Sequence, residues 1–294
     1  LSLLKVADEY VFVPRLVYGE HNTSHAVRTV LGEPCANISD ISRTNSRVNK
    51  VRIAWDGLKV SIENNGPGIP VEKRASDGVW APYACFFMFR TGTHMKREKG
   101  TIQAGTNGKG VKLTIAHAAW AKVRTVDAVN KKTFECECAP MENVSAPVVR
   151  ARAAGESGTS IEFELDPAYM EGMRKAQLVE QIDSHAQTLA ALLKISMGRR
   201  AEVAVSTAET RKLKAGHVPI KCDTMKELVN DEDAIGFAAT YTAAGSANTH
   251  TWEVVVVVAP PETRADTAAR RKAARDAGGV VAPKNLRFSL VNGT

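Results

Sequence analysis
No run of apolar residues in this chain approaches the ~18–20 needed for a membrane-crossing helix, so no membrane partner is expected. Paired cysteines are also lacking. The five thiols are an odd number, and no second Cys or His pair at zinc spacing accompanies Cys136-Glu137-Cys138. Reduced, structural thiols and an intracellular setting follow. The two commoner phosphate loops are missing as well. Lys109 is followed by Gly110 rather than Ser or Thr, and Leu113 occupies the third glycine of a G-x-G-x-x-G counted from Gly108. P-loop and Rossmann nucleotide binding are thereby disfavoured. The first residues, Leu1 to Asp8, contain neither a Met nor a signal-peptide pattern, which reads as a trimmed or processed start.

Charge is present in excess of one sign. Lys and Arg number 39 against 32 Asp and Glu, a net +7, which permits an anionic partner such as nucleic acid. At 294 residues and 44% apolar content the chain can build a core and room remains for two domains.

Three segments carry the chemistry. In the first, Gly105-Thr106-Asn107-Gly108-Lys109-Gly110 runs into Val111-Lys112-Leu113 and an apolar stretch. A flexible loop feeding a helix can turn several backbone N–H groups toward one anion, and Lys112 can add a point charge. A plain glycine-rich turn is the alternative. In the second, residues 51–55 and 58–62 alternate apolar and polar around Asp56-Gly57, a β-hairpin pattern. The turn Asn64-Asn65-Gly66-Pro67-Gly68-Ile69-Pro70 follows. Its glycines let backbone approach a flat ligand, and an Asn amide can pair with a base edge. In the third, Glu33, Asn37 and Asp40 recur at i, i+4 and i+7 on one helical face. A carboxylate that can take a proton and an amide oxygen that can bind Mg²⁺ would point the same way, although a solvated polar face has the same pattern. Pro34 should kink or start this helix.

Further along, residues 158–167 read as a half-buried strand through Ile161, Phe163 and Leu165. Residues 171–197 form one long helical pattern. Strand-like segments at 201–206, 234–241, 252–258 and 285–291 follow, with a short helix at 224–229 and a basic one at 266–277. The consecutive valines Val254–Val258 predict a strand buried on both faces. Phe86, Phe87 and Phe89 read as core, and the basic insertion 264–284 as a solvated helix.

In this order the segments resemble the nucleotide-binding boxes of the GHKL ATPases, and most closely those of eukaryotic-type (type IIA) DNA topoisomerase II. The family's E-x-x-x-N-x-x-D is matched by Glu33, Asn37 and Asp40. Its N-N-G-x-G-I-P is matched by Asn64 through Pro70, including Gly66, Gly68 and Ile69. A P-x-x-x-F-x-x-L-x-T-S-S-N stretch resembles Pro82 to His94, with Thr91 and Thr93 in register. The family's G-G-R-N-G-Y-G-A-K-L resembles Ala104 through Leu113.

The resemblance implies an α+β architecture. A GHKL (Bergerat) ATP-binding α/β sandwich would occupy residues 1–168, with the 158–165 strand closing its sheet. A ribosomal protein S5-like transducer would occupy 169–294. It implies ATP and Mg²⁺ as cofactors. Glu33 would be the general base, Asn37 the Mg²⁺ ligand, with Asp40 completing the box. Asn64 would face adenine, the Gly105–Gly110 loop and Lys112 would hold phosphates, and Thr91 and Thr93 would offer hydroxyls. It further implies an ATP-dependent homodimer acting on DNA through a full-length protein. The setting would be the nucleus first, with a mitochondrial or viral one as alternatives.

Departures from the family pattern point the other way, toward a degenerate structural module. Thr106 stands in place of Arg, Gly92 in place of Ser, Pro34 interrupts the helix, and 15–32 is an extra segment. On this pattern the transducer loop, whose lysine reaches the γ-phosphate, and the DNA-cleavage elements lie outside the chain.

Overall fold
The computed structural model describes residues 2–13, 25–89, 109–153, 157–170, 173–224, 227, 235–242, 249–256 and 289–293, with backbone pairing alone beyond 227. Two short strands, β1 (Ser2–Val6) and β2 (Glu9–Val13), pair as a hairpin. Helix α1 (His25–Thr44) follows, then the predicted hairpin of β3 (Lys50–Asp56) and β4 (Lys59–Asn64). Gly57 turns it at φ +58°, a left-handed conformation that favours glycine.

After α2 (Ala81–Phe87) and α3 (Gly110–Ala116) come β5 (Ala118–Asp127), β6 (Lys132–Cys138), β7 (Val148–Ala151) and β8 (Gly158–Leu165). Then follow α4 (Lys175–Met197), β9 (Glu202–Ser206), α5 (Ala208–Lys212) and β10 (Val218–Pro219). Eight of these strands form one sheet in the order β10-β9-β3-β4-β8-β5-β6-β7.

Period-two alternation sets the two faces of this sheet. Val51, Ile53 and Trp55 of β3 are cross-strand from Asn64, Ile62 and Val60, and Ile62 and Val60 from Ile161 and Phe163 of β8. The apolar side chains in this set are buried. Helices α1 and α4 pack together over this face; the Trp55 indole Nε1 donates to Asp183 Oδ1 of α4 at 2.8 Å. The opposite face carries Arg52, Lys122 and Arg124 with their acidic partners.

Two expectations about the sheet change. Strand β8 does not close it; β8 is central, between β4 and β5. Nor does the boundary expected at 168/169 divide the sheet. β9 pairs parallel to β3, so α4, β9 and β10 belong to the same body as the strands before them. The physical reason is chain direction. β3 and β8 are both antiparallel to β4 and thus run the same way, as does β9. A same-direction return needs a long crossover, usually a helix, and α4 is that crossover. Its apolar pattern therefore serves the first sheet.

Beyond it, β11 (Ile235–Thr242), β12 (Thr249–Val256) and β13 (Ser289–Gly293) make a separate three-stranded antiparallel sheet. The valine-rich strand β12 is its middle member. The basic insertion 264–284 and most of the short helix expected at 224–229 lie outside the described residues. Phe86 and Phe87 are core as expected, whereas Phe89, at the end of its segment, is 51% exposed.

The end of β5 fixes the turn that follows β4. Asp127 is buried, and its Oδ2 accepts the Val71 N–H at 2.7 Å. The Val129 and Asn130 N–H groups donate to Oδ1 at 2.8 and 3.0 Å, and the Asn130 amide to Oδ2 at 2.7 Å. Burial alone would raise this carboxyl, but the donors outweigh it and hold it below the ordinary 3.8. Asp127→Ala should cost about 2–3 kcal/mol in urea unfolding, because several donors lose a charged acceptor. A group with a lowered folded pKa stabilises above its unfolded pKa. The Asp127 contribution should thus be complete above that range and vanish as pH falls through the lower folded value. Acid titration of wild type against Asp127→Ala reads this directly.

Candidate functional site
Helix α1 presents Glu33 and Asn37 one turn apart, both half-buried, beside a buried row of Val27, Val30, Leu31, Cys35 and Ile38. That row takes up the apolar face, and Glu33 lies off it, against the first residue of α3. Among the described residues no side-chain hydrogen bond engages Glu33 or Asn37. Asp40 has a different fate: it is buried and pairs with Arg43 at 3.5 Å on the same helix. Pro34 neither starts α1 nor ends it, for the helix begins at His25 and continues to Thr44.

The first and third segments meet at Gly110. A Cβ placed there would come within 1.8 Å of Glu33 Oε2. The carboxylate therefore packs onto bare backbone where the loop enters α3, a contact open only to glycine with the carboxylate so placed. Burial raises the Glu33 carboxyl above its ordinary 4.5. A carboxylate raised in this way is better matched to accepting a proton near neutrality.

Lys112 is not the open point charge that the sequence suggests. It is 2% exposed, buried close to Cys85 of α2. Burial pushes its ammonium below the ordinary range, and the neighbouring Cys85 acts in the opposite direction. Lys109 lies at the N-terminal cap of α3 and is exposed. Gly105, Thr106, Asn107 and Gly108, with Thr91 and Thr93, lie outside the described residues.

The second segment is an assembled turn with two different asparagines. Asn65 is structural: its Oδ1 accepts the Asn49 and Lys50 N–H groups at 3.0 and 2.8 Å. Asn64 is half-buried and donates to the Asn65 carbonyl at 2.5 Å. Gly66 is buried against Val48, and Gly68 touches β5 so closely that a Cβ would lie 2.2 Å from the Val126 carbonyl oxygen. The Ile69 N–H donates to Thr125 Oγ1 at 2.8 Å. Thr125 Oγ1 in turn lies 3.0 Å from Thr159 Oγ1 and 3.3 Å from the Gly158 carbonyl.

The sequence reading missed Thr125, Thr159 and Asp127 as supports of this turn. The one available signal was a pair of threonines and an aspartate at the ends of alternating strands, and nothing local ties them to residues 56 positions away.

A shallow hollow of about 190 Å³ near Ala54, Lys59, Ser61, Trp120, Glu162 and Arg211 belongs to the opposite face of the sheet, away from Glu33. Among the described residues no group of three or more His, Cys, Asp or Glu could hold a metal by itself. A Mg²⁺ held through Asn37 would take most of its oxygens from phosphate and water, which suits that ion. The uncommitted Asn37 amide beside a glycine-lined carboxylate fits such a group.

No protein-family model matches the chain. Sequence relatives are nonetheless clear. DNA topoisomerase 2 of African swine fever virus is 31% identical over 156 residues, which is 50% of this chain and 13% of the viral protein. DNA topoisomerase 2 of Arabidopsis thaliana is 25% identical over 143 residues, 47% of this chain and 10% of the plant protein. The chain thus spans a small part of the length of the curated relatives it matches. The solved ATPase region of Saccharomyces cerevisiae topoisomerase II has the same fold, with a TM-score of 0.63 at 18% identity, over 80% of this chain and 58% of that one. Over about half its length this chain is thus similar in sequence to DNA topoisomerase 2, and it has the fold seen in a topoisomerase II ATPase region.

Proposed function
We propose that this chain binds and hydrolyses ATP as the gate module of a type IIA DNA topoisomerase. The single observation that carries this reading is the contact of Glu33 with Gly110. It brings a desolvated carboxylate, with no side-chain hydrogen bond among the described residues, to the last glycine of the glycine-rich segment, at the start of α3. ATP hydrolysis asks the protein for positioned phosphates and a base for water rather than for covalent chemistry. Glu33 takes the water proton. Asn37 supplies a Mg²⁺ oxygen, and the ion, when bound, neutralises phosphate charge. Asn64 reads the adenine edge from a turn held by Thr125 and Asp127. Lys109 and the backbone from Gly105 to Gly110 cradle phosphate, with Thr91 and Thr93 donating hydroxyls. Lys112 is buried on α3, just after that backbone.

The ATP-binding unit extends through β10, and the separate sheet of β11, β12 and β13 belongs to the transducer. In the full-length protein, ATP-driven closure of a homodimer would be coupled to DNA passage, in the nucleus or, given the viral relatives, in an infected cell.

Isothermal titration with a non-hydrolysable ATP analogue and Mg²⁺ should give saturable heat and raise the Tm. Absence of both at millimolar nucleotide favours the degenerate structural module instead.

Glu33→Gln should abolish turnover and leave analogue binding intact, because an amide keeps the shape but accepts no proton. In wild type the acid limb of turnover should lie above the ordinary carboxylate range, since activity needs the deprotonated form of a group whose pKa is raised. A pH–rate profile at saturating ATP checks both the limb and its loss in the variant.

Gly110→Ala should push the flexible Glu33 carboxylate aside. We expect turnover to fall about 10²-fold with destabilisation of only about 1 kcal/mol, measured by steady-state assay and urea unfolding.

A further inference from the structure
Pro34 lies inside α1, and an interior proline has no N–H. The carbonyl one turn earlier, that of Val30, therefore loses the donor that any other residue at position 34 would supply. Its surroundings are dry: Val30 and Leu31 are 2% and 1% exposed, and Pro34 is buried. A bare carbonyl here would retain its full desolvation cost.

The carbonyl is not bare. Thr114 Oγ1 of α3 donates to it at 2.7 Å, and Thr114 is completely buried. A mid-helix threonine ordinarily bonds back to a carbonyl of its own helix. This one reaches a different helix, 84 residues away in sequence.

The tether frames the candidate base. Pro34 directly follows Glu33. Thr114 lies one turn beyond Gly110, where the Glu33 carboxylate rests on backbone. The Thr114–Val30 bond and the Gly110–Glu33 contact are thus one turn apart on both helices, and they fix the same helix–helix approach. We propose that Pro34 and Thr114 are a matched pair: the proline frees one carbonyl of α1, the threonine occupies it, and this bond makes Thr114 a positioning residue for Glu33. The positioning half rests on Glu33 being the base for ATP hydrolysis; the pairing does not.

A double-mutant cycle in the whole chain, read by urea unfolding, tests the pairing. Thr114→Val keeps the shape and removes the donor, and should lower the folded-to-unfolded ratio about tenfold or more. Pro34→Ala returns an N–H to position 34, so Val30 regains a local donor. In that background Thr114→Val should cost less than about threefold. Equal costs in the two backgrounds would overturn the pairing. If Thr114→Val alone does not fold, folding of the double variant supports the pairing, and its failure to fold overturns it.

The positioning role has its own readout. At saturating ATP, Thr114→Val should lower kcat about tenfold with KM for ATP within about twofold, and Thr114→Ser should restore kcat. Parallel losses of kcat and affinity would overturn positioning. A wild-type chain that binds ATP without hydrolysing it would overturn the base reading and the positioning role together, while the unfolding cycle still decides the pairing.

Discussion

The burial of one face of α1 governs the rest of the site. Val27, Val30, Leu31, Cys35 and Ile38 are shut into the core shared with the sheet and α4. Each fully buried aliphatic side chain contributes about 1.5–3 kcal/mol relative to exposure, so the rotation of the helix is not free. Once that stripe is committed, Glu33 is left against the start of α3, with Asn37 one turn further along the helix. Ser39 marks the other side of the helix, with its hydroxyl 2.6 Å from that of Ser196 on α4. The same rotation that buries the stripe aims the carboxylate.

Two kinds of restraint then bring distant segments to this helix. One is steric: Gly110 and Gly68 permit approaches that any side chain would block, at Glu33 and at the Val126 carbonyl. The other is polar and buried. Asp127, Thr125 and Thr114 each satisfy backbone groups of a different element. Buried backbone polar groups must find partners, and a side chain that supplies one from another element joins the two. The turn after β4 and the entry to α3 are both held in this way, leaving Glu33, Asn37 and Asn64 to be positioned by their neighbours.

Among the described residues, positive charge does not collect on the face of the sheet opposite α1 and α4. Lys50 meets Glu202 at 3.2 Å, Lys122 meets Glu137 at 2.9 Å, and Arg124 and Arg150 share Glu135. Such exposed pairs contribute little to stability. Their effect is to neutralise a surface that would otherwise attract polyanions. Among the described residues this face is a ladder of alternating sign rather than a basic track.

Much was legible in the sequence because it depends on neighbours in the chain. The period-two alternation of 51–62 and 161–165, the turn at Gly57 and the helical period read over 171–197 are local steric and solvation patterns; the structure has the first two and carries the helix over 175–197. The four-residue spacing that aligns Glu33 with Asn37 is local too. What lay beyond the sequence is whatever depends on distant partners. No local pattern says that a long helix after β8 returns a strand to β3 rather than opening a new domain, because a crossover is defined by the directions of strands it does not touch. Burial of Lys112 and exposure of Phe89 are decided by what packs above them. Pro34 reads locally as a helix breaker, because its cost is local. Its compensation by the Thr114 hydroxyl is tertiary, and only the fold brings that donor to the carbonyl the proline left open.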